Sequence, residues 1–140
     1  MDTNLDSLDS SFKPFAVAWL ARLTEARVPV IISNTRRTAA EQTAAVARGV
    51  SWVQHSLHED GLAMDVVPFA QFVLHGLNKL QWDTSDPVWL KVRDAGLLAA
   101  HDVGISVRWG GTFTPLNQLG IGKDPGHMEF AMTSTTGVHA

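Results

Sequence analysis

The sequence predicts an α+β fold. Two observations carry that expectation: helix-type periodicity and short β-branched runs share the chain, and they alternate without the regular rhythm of a doubly wound sheet. In residues 14–27, Phe15, Val17, Ala18, Leu20 and Leu23 fit one helical face, and Pro14 suits a first turn. Residues 28–33 form an apolar, β-branched run that reads as a buried strand, with Pro29 marking its first residues or a sheet edge. Thr38-Ala-Ala-Glu41 has the form of a capping box, so a helix is expected over residues 39–48, stopped by Gly49. Residues 62–69 read as another strand, ended by Pro68. Residues 86–100 open on Asp-Pro and carry Val88, Trp89, Val92, Leu97 and Leu98, which suggests a further helix. A strand over residues 105–109, closed by Gly110-Gly111, and a last one over residues 127–132 complete the expectation. Trp52, Trp82 and Trp89 read as core or rim packing.

The bulk numbers narrow the function. A chain of 140 residues suits one domain, and 45% hydrophobic with 18% charged residues is a globular balance. The net charge of −3 removes the electrostatic case for nucleic-acid binding, which needs a basic face. With no cysteine, disulfides, thiolate metal sites and cysteine nucleophiles are excluded. The acidic, polar N-terminus lacks the features of a secretory signal, and no stretch approaches the roughly 18 apolar residues of a membrane span. The expectation is a soluble, monomeric protein made in the cytoplasm without its own export signal.

Two segments carry the chemistry: Ser56-Leu-His58-Glu-Asp-Gly61-Leu-Ala63-Met-Asp65 and Asp124-Pro-Gly-His127-Met-Glu129. A catalytic zinc takes three protein ligands, imidazole or carboxylate, and leaves a position for water. His58, Asp65 and His127 would supply two nitrogens and one carboxylate. On a straight helix, His58 and Asp65 would be separated by roughly 10 Å of rise, too far for one ion. The chain between them must fold back, and Gly61 permits it. Asp65 then lies in an apolar strand, where a carboxylate needs a partner such as a cation.

Asp124 precedes His127 through a Pro-Gly turn that can aim both into one cleft, so it is the expected proton acceptor, although Asp is also ordinary turn chemistry there. Arg37, just before the capping box, is placed to bind an oxyanion or a substrate carboxylate. Ser56 is assigned either a substrate contact or a hydrogen bond within its own loop. Trp109 is either a substrate-binding cleft wall or a core residue. Glu129 would share a strand face with His127 and orient that histidine or pair with a basic group. His55, His75, His101 and His139 read as surface or internally satisfied histidines.

These segments resemble the zinc D-alanyl-D-alanine carboxypeptidases, the vancomycin-resistance D,D-dipeptidases and the L-alanyl-D-glutamate endopeptidases of phage lysins. Ser56, His58, Gly61, Ala63 and Asp65 match that pattern's Ser-x-His-x-x-Gly-x-Ala-x-Asp. Trp109-Gly110-Gly111 match its Trp-Gly-Gly, and Asp124 with His127 its acid-x-x-His. The family arginine loop maps onto Thr35-Arg36-Arg37-Thr38 with Glu41-Gln42. There Thr35-Arg36 replace the usual Gly-Tyr, so either arginine is a candidate for the cleft. The resemblance, over roughly residues 31–130, implies a Hedgehog-like fold: a small, mostly antiparallel sheet flanked by helices, with a metal cleft at the sheet face. It also implies one zinc per chain on His58, Asp65 and His127, base catalysis by Asp124 and a transition-state contact from Arg37. The implied substrate is the peptidoglycan stem peptide. Asp rather than Glu as the base resembles the endopeptidase branch, a lysin released through a holin. No wall-binding domain is evident. Cleavage between D-alanines, a non-catalytic zinc-containing wall-binding module and a zinc used only for folding are the alternatives.

Overall fold

The computed structural model describes residues 2–49, 56–70 and 79–131. Trp52, His55, His75, His139 and the end of the last predicted strand lie outside them. Helix α1 is Lys13–Glu25, with Pro14 in its first turn. Its buried stripe is Phe15, Ala16, Trp19 and Leu23, continued by Phe12 just before the helix. This corrects the face read from the sequence: Val17 is 49% exposed, because Trp19 takes the core position.

Strand β1 (Val30–Asn34) follows, with Pro29 immediately before it. Helix α2 (Ala39–Ala47) opens on the predicted capping box, in which the Thr38 hydroxyl accepts from Glu41 N and the Glu41 carboxylate accepts from Thr38 N. Strand β2 is Ala63–Pro68. Helix α3 (Val88–Val103) ends at Gly104, whose φ of 72° closes the helix in the left-handed conformation. Strands β3 (Val107–Trp109) and β4 (His127–Phe130) complete the sheet.

In α3 the buried side is Trp89, Val92, Ala95, Gly96, Ala99 and Ala100, while Leu97 and Leu98 are half exposed. Small residues win the inner face because α1 and the sheet come close to it. A Cβ on Gly96 would stand 2.4 Å from the Met128 methyl and 3.3 Å from the Trp19 indole nitrogen. Trp19 donates that N–H to Val92 O at 3.2 Å. A two-pronged ion pair, Arg22 Nε and Nη2 to Asp102 at 2.7 Å each, ties α1 to α3. Trp89 is buried, as expected for core packing, and Trp82 is exposed at the rim.

The sheet has the order β1-β2-β4-β3, with every neighbouring pair antiparallel. Alternation along the strands gives it two chemistries. Met64, Val66, Trp109 and Met128 join the helix residues in one core. Asp65 and His127 are direct cross-strand partners, and so are Ala63 and Glu129, which puts these four on the opposite face. The β1–β2 register slips between Ile32 and Asn34, a bulge that brings Asn34 opposite Asp65. Among the described residues no helix is long and apolar enough to cross a membrane.

Candidate metal centre

The pairing of β2 with β4 sets Asp65 beside His127, residues distant in sequence but adjacent in the ladder. His58 reaches them from the turn before β2. There Leu62 N donates to Leu57 O at 2.9 Å, and Gly61 takes a φ of 70°. A side chain at Gly61 would also meet Asp9 N at 2.7 Å, so both the reversal and the packing require glycine. The fold-back expected from the sequence is this turn.

Each imidazole has one nitrogen anchored and the other aimed at Asp65. His58 Nδ1 lies 2.6 Å from Thr35 O, a carbonyl that can only accept, so Nδ1 carries the proton. That leaves His58 Nε2, 3.2 Å from Asp65 Oδ1, as the nitrogen that would meet a cation. His127 is turned the other way: Nε2 is 2.7 Å from Glu129 Oε1, and Nδ1 is 2.8 Å from Asp65 Oδ1. The two rings stand edge to face, centroids 5.0 Å apart.

The donor atoms of His58, Asp65 and His127 all lie within 4.8 Å of one another. Ligands about 2.0–2.2 Å from a tetrahedral zinc are separated by roughly 3.3 Å. The donor set and spacing therefore fit a divalent cation.

The charges agree with that fit. Burial opposes ionisation of Asp65, but His58 and His127 hold its carboxyl well below the usual range. Burial also opposes a charged His127, yet Asp65, Glu129 and Asp124 raise it to about 10. The site is a nest of carboxylates that favours positive charge at its centre.

Asp124 Oδ2 stands 3.8 Å from His127 Nδ1. Desolvation, and after it the Asp65 charge, raise its carboxyl to about 6. Solvent still reaches 44% of the side chain, which moderates the desolvation but leaves the neighbouring charge acting. The turn that carries Asp124 rests on the Trp-Gly-Gly segment. A Cβ on Gly110 would lie 2.0 Å from Asp124 O and 2.9 Å from His127 Cβ. Trp109 is buried at 7% exposure and donates its indole N–H to Pro125 O at 2.7 Å, bracing the same turn from the core side.

Of the two arginines, Arg37 is the one whose charge acts on Asp124, opposing the rise of its pKa. Its Nη1 donates to Gln42 Oε1 at 2.8 Å, and its backbone N–H donates to His58 O at 3.1 Å. Arg36 is exposed and turns instead to Glu59 O and Ser7 O. Ser56 is buried, and its Oγ accepts from His58 N at 3.2 Å. His101 is exposed on α3.

Sequence reading did not single out Thr35 or Gln42 for roles in the site. Thr35 contributes through its carbonyl, which no side-chain motif reveals. Gln42 is fully buried, and its signal was a polar residue on the inward face of α2. Phe113, 5.7 Å from the His127 ring, with Arg108 4.5 Å above it, also escaped notice.

Comparison with known proteins points to one family. The phage L-alanyl-D-glutamate peptidase family matches residues 4–130. No curated protein sequence matches the chain. Among solved structures, the Serratia marcescens L-Ala D-Glu endopeptidase ChiX superposes with a TM-score of 0.69 at 26% identity, covering 91% of this chain and 84% of that one. With a donor cluster on the sheet face and a family match spanning nearly every described residue, the chain belongs to the phage L-alanyl-D-glutamate peptidase family.

Proposed function

We propose that this chain is a zinc-dependent peptidoglycan peptidase, a single catalytic domain that hydrolyses the L-Ala–D-Glu bond of the stem peptide at the cell wall. The observation that carries the reading is the convergence of His58, Asp65 and His127 beside a separate carboxylate, Asp124. Family membership and the ChiX likeness support the choice of bond.

His58 through Nε2, His127 through Nδ1 and the Asp65 carboxylate would hold the zinc. Zinc there would supply a Lewis acid that polarises the scissile carbonyl and acidifies water. Asp124 Oδ2 takes the proton as water adds to the carbonyl, then returns it to the departing amine. With its carboxyl raised to about 6 by desolvation and the Asp65 charge, Asp124 is mostly in its accepting form at neutral pH, and a cation bound beside it would favour that form further. Arg37, steadied by Gln42, offers its guanidinium to the developing oxyanion. Glu129 fixes the His127 tautomer by accepting from Nε2, and Thr35 does the same for His58.

Digestion of purified muropeptides by zinc-loaded protein, read by mass spectrometry, tests the specificity. A product with a free N-terminal D-Glu is expected. Loss of only a terminal D-Ala would mean that the bond is assigned wrongly.

A further inference from the structure

We infer that Asn34 is a positioning residue for Asp65, orienting its carboxylate for the cation; this rests on the metal reading above. The bulge in β1 supplies the first argument. Continued from Ile32↔Val66 without a slip, the ladder would set Asn34 against Met64 on the apolar face. The slip moves Asn34 onto the face of Asp65, its direct cross-strand partner. Bulges of this kind re-aim a side chain beside functional sites.

Burial supplies the second. Asn34 is only 2% exposed, and among the described residues neither amide atom has a hydrogen-bond partner. A buried amide left unpaired is unfavourable, so its retention calls for a state in which it is paired. Asp65 has the complementary need. Both imidazole contacts go to Oδ1, and among the described residues none is made to the other oxygen. An asparagine amide donates two hydrogens and suits that oxygen. Its depth keeps substrate away, so Asn34 acts through Asp65. The next residue, Thr35, already holds His58 by its carbonyl, so the bulged end of β1 would brace two of the three ligands.

The test compares wild type with Asn34→Ala and the nearly isosteric Asn34→Leu, using zinc itself as the probe. Zinc affinity is measured by competition with a chromophoric chelator, and the melting temperature on metal-stripped protein. Wild type is expected to bind one zinc. Both variants should bind it about 10–100-fold more weakly, the usual loss when a group supporting a ligand is removed. Their stripped forms should melt no lower than wild type, since an unpaired buried amide has been removed. Unchanged affinity, or variants that melt lower or fail to fold when stripped, overturns the assignment in favour of a structural role. Failure of wild type to bind zinc overturns the metal reading itself, and this inference with it.

Discussion

Around His127, Asp65 and Glu129 each place a carboxylate oxygen within 2.8 Å, and Asp124 stands 3.8 Å away. Burial alone would keep this imidazole neutral, but the acidic neighbours raise it to about 10. At pH 7–8 the cation-free protein therefore carries a proton on Nδ1, where a cation would bind. Zinc must displace it, so binding should release about one proton. Titration calorimetry in buffers of different ionisation enthalpy measures that number, and a buffer-independent heat would contradict the assignment.

Asp124→Ala should keep about one zinc per chain while kcat falls by roughly 10²–10⁴, the usual worth of a positioned acid–base group. Loss of the metal as well would make Asp124 a ligand. In wild type, kcat/KM should decline in acid with an apparent pKa at or below about 6 as Asp124 takes up a proton.

At the scale of elements, the site depends on how closely two turns approach. Gly110→Ala should abolish hydrolysis and weaken zinc binding, because backbone at 2.0 Å cannot yield without moving the Asp124–His127 turn. Elemental analysis with an activity assay checks both, and wild-type values for both would show the approach to be tolerant. The α1–α3 ion pair gives an acid-dependent effect. Arg22, foremost by its hydrogen bond, holds the Asp102 carboxyl below its usual value. A depressed carboxylate contributes stability above its unfolded pKa and loses it as pH falls through the folded one. Asp102→Asn should therefore lower the melting temperature at pH 7 and leave it nearly unchanged near pH 2. An equal loss at both would assign the effect to packing.

Elements with local signals were legible in the sequence. The Thr38–Glu41 capping box, the Gly61 reversal and the stop at Gly49 all follow from short-range chemistry, and the structure contains them. Features set by distant partners were not. Which α1 residues face inward depends on α3, so Trp19 displaced Val17. Leu97 and Leu98 match a core pattern but are turned out, because the tight approach admits Gly96 and alanines instead. The donor trio was legible as a motif. The pairing of Asp65 with His127 and the choice of Arg37 over Arg36 required the folded register.

Taken whole, the molecule keeps its packing and its chemistry on opposite faces of one sheet. The helices and Met64, Val66 and Met128 form the core on the face opposite Asp65 and His127. Removing the metal should therefore leave the fold intact. Far-UV circular dichroism is expected to stay unchanged in chelator, whereas zinc at 100 times its Kd should add about 2.7 kcal/mol of stability. Unfolding on chelation would assign the metal to folding instead. Trp19→Ala, on the core side, should cost about 3–5 kcal/mol of stability in denaturant unfolding while the folded fraction still binds zinc.

The most direct test is an anomalous difference map at the zinc edge from crystals of the loaded protein. One peak per chain is expected, about 2.0–2.2 Å from His58 Nε2, His127 Nδ1 and an Asp65 oxygen, with Asp124 nearby but unbound. A peak held by other residues, or none at full loading, would contradict the account.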